Sequence, residues 1–461
     1  MAPMQHETTT GRQRGLLPTT SGVVAGVSAV ILLVVGTRWA SYLGRSPVFL
    51  TDILLAFGIA HYVIGRMTVM ERFLVRPAIQ IPLPRPWLPS LLAGWAAARF
   101  SVGGNLGIDA IRDVVPYIYA AVAIVGWSAI QRVSDLALNR TRGLLVAALV
   151  AHAVWFFLVG VIAPGIDEKL PTLAADQGVH LLTPRNDIDT ALIGLLAAIL
   201  LLRLLRGGVR HRGLLLIGLV SSWAAIFSTG SRAGLIGALL ANATAIMCVL
   251  TSRKLTPSRQ QIIVASLLPV FALLVAILPA TTIGARLAGS LGGTEAETSA
   301  VADGAAGTQR ARSQAWQNLY DWTVADYGRL AIGVGFGPNF MDESGTAPLL
   351  VGPVTAQDGN IAPRSPHNYW LGTFARLGAI GLAAALLAGL GVVRRAWRAR
   401  SYLADDEMMF VVTVLPLALL VPATLGVVLE SPFGSVPFWW CIGASLAMTA
   451  TQKTTASTPE R

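Results

Sequence analysis

The segment Ser365-Pro-His-Asn-Tyr-Trp-Leu-Gly-Thr-Phe-Ala-Arg376 places a histidine, and further along the same run an arginine, where a long polar stretch passes into a strongly apolar one. A second such boundary is Ser228-Thr-Gly-Ser-Arg232. Ionisable groups at the margin or inside of an apolar run are costly in lipid and ordinarily face a cavity or a charged partner. Arginine presents a planar, permanently charged fork that matches phosphate oxygens. Histidine is the usual proton acceptor near neutral pH. Cationic forks and a base on one membrane face suit an anionic, lipid-linked substrate whose chemistry includes a proton transfer.

Each candidate has a plainer reading beside the chemical one. Arg232 either snorkels to water from the membrane boundary or binds phosphate, with Gly230 and the neighbouring hydroxyls letting an anion approach closely. His367 either caps or packs at a helix start, or accepts a proton. Pro366 restricts the chain ahead of it, and Asn368 is placed to orient the ring or to bind a sugar hydroxyl. Arg310 and Arg312 precede Trp316 by six and four residues, as a solvated helix face or as a clamp on a pyrophosphate. Arg376 lies nine residues past His367, about 13 Å deeper along a helix axis, where it needs an anion or water. Arg364, Arg185 and Arg112 are weaker candidates. The chain has no Walker-type loop, no strand-anchored dinucleotide fingerprint and no HExxH. Asp187 with Asp189 is a weak metal pattern, so neither metal nor cofactor is expected.

These residues must be positioned by membrane helices. Only 13% of the residues are charged and 54% are hydrophobic, against roughly 25% charged in a soluble protein. The apolar runs are continuous rather than alternating, which favours helices over a barrel. The expected fold is all-α, a polytopic membrane protein with about twelve transmembrane helices: 20–36, 48–65, 86–98, 114–130, 143–163, 190–202, 213–229, 233–250, 261–281, 368–391, 408–428 and 434–450. Arginine-rich segments between alternate runs, such as Arg203/Arg206 and Arg394/Arg395, put both termini in the cytoplasm. The net charge of +11 is then a topology signal, and no nucleic-acid partner is expected. The first run reads as a signal anchor. Cys248 and Cys441 fall in or beside apolar runs and read as packing residues.

The resulting division is a cytoplasmic tail 1–19, helices one to nine over 20–281, a large outer loop 282–367 between spans nine and ten, helices ten to twelve over 368–450, and a cytoplasmic tail 451–461. Within the large loop, Gly289 to Gly307 is turn-prone. Trp316, Leu319, Tyr320 and Thr323 share one face of an amphipathic helix expected near the membrane interface, and Gly333-Val-Gly-Phe-Gly-Pro338 is a glycine-rich turn. A second sizeable outer loop spans about 164–189. The outer loop at 37–47 holds no Asp or Glu, and Asp52 begins the span that follows.

In sequence order, these motifs resemble the O-antigen ligase / O-antigen polymerase-like superfamily of membrane glycosyltransferases. Ser228-Thr-Gly-Ser-Arg-Ala-Gly234 is similar to its Ser-Arg signature. Arg312-Ser-Gln-Ala-Trp316 followed by Gly333-Val-Gly-Phe-Gly337 is similar to its arginine-to-tryptophan segment and glycine turn. Pro366-His367-Asn368, continuing to Leu377-Gly-Ala-Ile-Gly-Leu382, is similar to its histidine-bearing helix start. Arg376 departs from the pattern, which carries an acidic residue there in many relatives.

The resemblance implies glycan transfer from a polyprenyl-pyrophosphate carrier to an acceptor hydroxyl on the outer face of the plasma (inner) membrane. Arg232 and Arg312, supported by Arg310, would neutralise the leaving pyrophosphate. His367 would take the acceptor proton, and a single displacement would invert the anomeric centre. Asn368, Arg376, Arg185 and Trp316 would line the substrate site. The partners implied are the lipid-linked glycan donor, a lipid, polysaccharide or protein acceptor, and membrane lipids. Ligase, polymerase and protein oligosaccharyltransferase share this donor chemistry. The competing expectation is a multi-span transporter or flippase of a lipid-linked glycan, with its charges along a translocation path; such transporters commonly show internal repeats, and none is visible here.

Overall fold

The computed structural model describes residues 43–45, 48–49, 86–103, 107–132, 135–174, 179–184, 186–207, 211–252, 276, 284, 300–351 and 364–456. Helix dominates. The helices are α1 (Trp87–Val102), α2 (Ile108–Ile118), α3 (Val122–Arg132), α4 (Asp135–Phe157, continued by a π turn Leu158–Ile162), α5 (Asn186–Arg206), α6 (Arg212–Ser228) and α7 (Arg232–Leu250). They continue with α8 (Ala300–Val324), α9 (Tyr327–Ile332), α10 (Phe340–Glu343), α11 (Ala347–Val351), α12 (Tyr369–Leu403), α13 (Glu407–Leu425) and α14 (Pro432–Ala456).

The all-α expectation needs one amendment. Two short antiparallel hairpins are present, Gly44–Arg45 with Val48–Phe49 and Thr172–Ala174 with Val179–His180. The second folds part of the 164–189 loop back on itself, with Leu181 N donating to Pro171 O.

Among the described residues, five helices are long and apolar enough to cross a membrane: Leu138–Ile162, Asp187–Arg206, Arg232–Leu250, Tyr369–Leu403 and Glu407–Leu425. The expected spans 20–36, 48–65 and 261–281 lie almost wholly outside the described residues. The remaining expected spans coincide with helices, though with shifted ends. The span placed at 114–130 begins earlier, at Ile108, and is jointed by a 3-10 turn at Tyr119–Ala121. Helix α5 starts at Asn186, so Asp187 and Asp189 sit in a helix rather than in a loop.

Small residues let these helices approach closely, the usual device where lipid supplies no hydrophobic drive between them. A Cβ on Gly126 would overlap the Trp440 backbone, one on Gly443 would overlap Ala123, and one on Gly237 would lie 2.5 Å from Ala418 O. Leu214, Leu216, Ile217 and Val220 of α6 are exposed, as are Leu386, Leu387 and Leu390 of α12, which is what lipid-facing surfaces require. Both Cys248 and Cys441 are buried and free.

The large loop is more ordered by helix than its composition suggests. Helix α8 begins at Ala300, so the second part of the stretch read as turn-prone is helical. Ala, Gln and Arg-rich sequence favours this outcome once the chain has a docking surface. Part of the expected apolar face of α8 is covered by protein, while Tyr320 on that face is exposed. Leu319 and Thr323 are fully buried, and Leu319 packs with Phe340, Met341, Ala347 and Ala375.

Helix α12 is broken. Gly378 has φ 64° and ψ −166°, which removes the regular partners of the preceding carbonyls. The glycine turn replaces them. Val334 N donates to Ala375 O at 2.9 Å and Gly335 N to Arg376 O at 2.9 Å. The Trp95 indole donates to Leu377 O at 3.0 Å. Gly333, Gly335 and Gly337 all have positive φ, so this docking needs glycine. A Cβ at Gly378 would overlap the Ala331 carbonyl. Gly378→Ala is therefore expected to destabilise the protein by about 2 kcal/mol or more, read as a lowered thermal midpoint in detergent.

Candidate active site

Four helix ends converge at one end of the bundle: the starts of α5, α7 and α12 and the finish of α13. The contacts that assemble them are local and polar. A Cβ on Gly234 would lie 2.5 Å from Thr190 Cβ and 3.0 Å from Asp187 O, which fixes α7 against α5. The Trp370 indole donates to Thr424 Oγ1 at 2.9 Å, tying α12 to α13. Gly426, just past α13, faces the Asp187 carboxylate.

Arg232 is the first residue of α7. The turn before it is held by its own hydroxyls. Thr229 Oγ1 accepts from Ser231 N at 3.2 Å and from Thr190 Oγ1 at 3.1 Å. Ser231 caps the helix, its Oγ accepting from Gly234 N at 3.1 Å. Gly230 takes φ 65°. This turn is buttressed from beneath: the π turn after α4 brings Gly160 so close that a Cβ there would lie 2.7 Å from Ser228 Oγ. His152 Nε2 of α4 also lies 3.1 Å from the buried Asp189 carboxylate, one residue from Thr190.

Arg312 reaches the same place from α8. Its Nη1 donates to Leu425 O at 2.9 Å. Burial lowers its pKa first, the Arg232 charge lowers it further, and Asp187 acts in the opposite direction. Two guanidiniums drawn from segments far apart in sequence thus repel each other, with Asp187 as a counter-charge. Arg310, by contrast, two residues earlier, is exposed.

His367 stands on a turn at the start of α12. Its backbone is left-handed, with φ 54°, uncommon for a residue other than glycine although histidine tolerates it better than most. Every neighbour is held. The Trp316 indole donates to Pro366 O at 2.7 Å. His367 N donates to Ser365 Oγ at 3.2 Å. Asn368 Oδ1 caps α12, accepting from Trp370 N at 3.1 Å and Leu371 N at 3.2 Å. Trp316 and the Asn368 carbonyl oxygen therefore hold the backbone around the imidazole. Gly372, one turn into α12, leaves room for both Pro366 and the Glu430 carboxylate.

Arg376 is committed elsewhere. It is 5% exposed, its Nη1 donates to Asp113 Oδ2 at 2.8 Å, and its guanidinium lies over the Phe340 ring at 4.7 Å. The partner anion that its depth demanded is a carboxylate of this chain. Arg364 binds the same carboxylate, which raises its pKa. Arg112 is exposed, and Arg185 lies outside the described residues.

Residues 216–386 match the family described as O-antigen ligase. The match covers the part of the chain that runs from α6 into α12. The matched segment takes in Arg232, Arg312, the glycine turn, His367, Arg376 and the break at Gly378. No curated protein matches the chain. Two parts of this site gave no clear sequence signal. Asp113 stands in α2, a helix otherwise legible only as part of an apolar span; an acidic residue at that depth was the available clue. Residues 424–430 straddle the expected end of the span at 408–428, and they contribute through the Thr424 hydroxyl, the Leu425 carbonyl and close packing.

The backbone at His367 yields a direct test. Glycine accepts φ 54° without strain while alanine does not, and both lack the imidazole. His367→Gly is expected to unfold later than His367→Ala, by about 1 kcal/mol, in thermal denaturation of the purified proteins.

Proposed function

We propose that this protein is a membrane glycosyltransferase that moves a glycan from a polyprenyl-pyrophosphate carrier to an acceptor hydroxyl. The observation that carries the reading is the pairing of Arg232 with a half-buried Arg312, whose helix also holds the turn bearing His367 through Trp316, inside the segment that matches the O-antigen ligase family. Two arginine forks can take the oxygens of a pyrophosphate that gains charge as it leaves. The acceptor oxygen bonds to the anomeric carbon, the bond from that carbon to the phosphate oxygen breaks, and His367 takes the acceptor proton. One displacement of this kind inverts the anomeric configuration. Arg310, exposed on α8, is placed to meet the donor from the solvent side. Trp316, Asn368 and Arg376 serve by holding the backbone from which the imidazole and the glycine turn are presented.

The test is transfer by the purified protein in proteoliposomes, given a polyprenyl-pyrophosphate oligosaccharide and envelope acceptors. Wild type is expected to form the glycosidic product. His367→Ala is expected to lose about 100-fold or more in kcat. Arg232→Ala and Arg312→Lys are expected to lose rate as well, the lysine because it keeps charge but not the fork. Undiminished transfer by His367→Ala would remove the imidazole from the chemistry. Movement of labelled donor across the bilayer with no bond formed would turn the assignment to a transporter.

A further inference from the structure

A second pair of arginines, Arg364 and Arg376, is closed by a carboxylate. Asp113, on α2, is 7% exposed. It accepts from Arg364 Nε at 3.2 Å through Oδ1 and from Arg364 Nη2 at 2.5 Å through Oδ2, a side-on pair. Arg376 Nη1 reaches Oδ2 at 2.8 Å, and Gly337 N donates to Oδ2 at 3.4 Å. Arg364 Nη2 also donates to Gly337 O at 2.7 Å, while Arg376 Nη2 donates to the main-chain carbonyl of Arg364 at 3.3 Å. Asp109 lies 3.9 Å from Arg364 Nη1 and is mostly exposed, so it adds charge rather than geometry.

A carboxylate that merely neutralised two buried arginines would leave the main chain to itself. Here the cluster grips Arg364 at its guanidinium and at its own carbonyl, three residues before His367. From the other side, Trp316 grips Pro366 O. A non-glycine residue in the left-handed region costs about 1–2 kcal/mol and persists only where its surroundings over-determine it. The two grips are that over-determination.

From this geometry we infer that Asp113 is a positioning residue for proton transfer at His367: through Arg364 and Arg376 it fixes the left-handed turn that presents the imidazole. The inference rests on the proposed role of His367 as base. Displacing a reacting group by about 1 Å can cost roughly 100-fold in rate, whereas donor binding at Arg232 and Arg312 is built on other elements and is left intact.

The experiment measures kcat and donor KM for the full-length protein in proteoliposomes, per folded molecule, with the polyprenyl-pyrophosphate oligosaccharide as donor. Arg364→Lys retains the charge and loses the side-on pair; it serves even if Asp113→Asn fails to fold with two arginines left facing each other. Expected results are a fall in kcat of about 10- to 100-fold for Arg364→Lys, an unchanged donor KM, and no further loss on adding Asp113→Asn. Arg364→Lys with wild-type kcat, whatever its stability, overturns the inference while His367→Ala remains inactive. So does a fall in kcat matched by an equal rise in KM, which would report general loosening of the site. If His367→Ala itself keeps wild-type kcat, the reading of His367 fails, and the inference fails with it for that separate reason.

Discussion

Three successive carbonyls, those of Ala375, Arg376 and Leu377, have lost their helical partners to the break at Gly378. In a low-dielectric setting such groups must be satisfied by protein. The amides of Val334 and Gly335 and the Trp95 indole satisfy them. This requirement organises much of what surrounds the site. It draws the 333–337 turn onto α12 and brings α1 against both, since Arg99 Nη2 donates to Gly333 O at 3.0 Å. It also seats Phe336 in the core beside Tyr117, with ring centroids 5.7 Å apart. Gly337, at the end of the same turn, then arrives at Asp113. A straight α12 would satisfy its own carbonyls and leave the glycine turn with nothing to pair.

The arginines near this end of the bundle divide by their electrostatic surroundings. Arg364 and Arg376 share a buried carboxylate and several carbonyls, a closed arrangement in which removal of the acid would leave buried charge uncompensated. Arg232 and Arg312 repel each other, and Asp187 acts on Arg312 in the opposite direction. Side-chain type does not separate these two classes, because all four residues are arginines at the edge of apolar chain. What distinguishes the first class is one buried carboxylate, Asp113, at bonding distance from both of its arginines. This also accounts for the basic residue at position 376, where the family resemblance leads one to expect an acidic one: the acid sits on α2 instead.

Helix ends carrying polar punctuation were legible in the sequence. The apolar runs put helix starts beside Arg232 and His367, but capping was read at His367, whereas the caps are Ser231 and Asn368, residues read as anion-approaching and ring-orienting groups. The amphipathic face of α8 was legible too, since Leu319 and Thr323 follow helical spacing, but periodicity states only that a face is covered and not by what. Its cover, Phe340 and Met341, comes from a helix of four residues too short to announce itself. Contacts between distant segments were illegible for the same reason. Asp113 meeting Arg376, or Arg312 meeting the Leu425 carbonyl, depends on how helices cross, and no local pattern encodes a crossing.

The strain at His367 ties these levels together. A glycine at position 367 would adopt φ 54° freely, and the chain uses glycine at Gly230, Gly333, Gly335, Gly337 and Gly378 around the same site wherever positive φ is needed. At 367 it carries an imidazole instead and holds the turn by four separate restraints: the Arg364 cluster, Ser365 Oγ, the Trp316 indole and the Asn368 cap. Restraints of that number would be superfluous if only the path of the chain mattered, because the backbone alone could be satisfied more cheaply by glycine. They become necessary when the side chain at that point must stand in one place. On the proposed reading, the broken helix, the glycine turn and the buried carboxylate together hold one exposed ring in place.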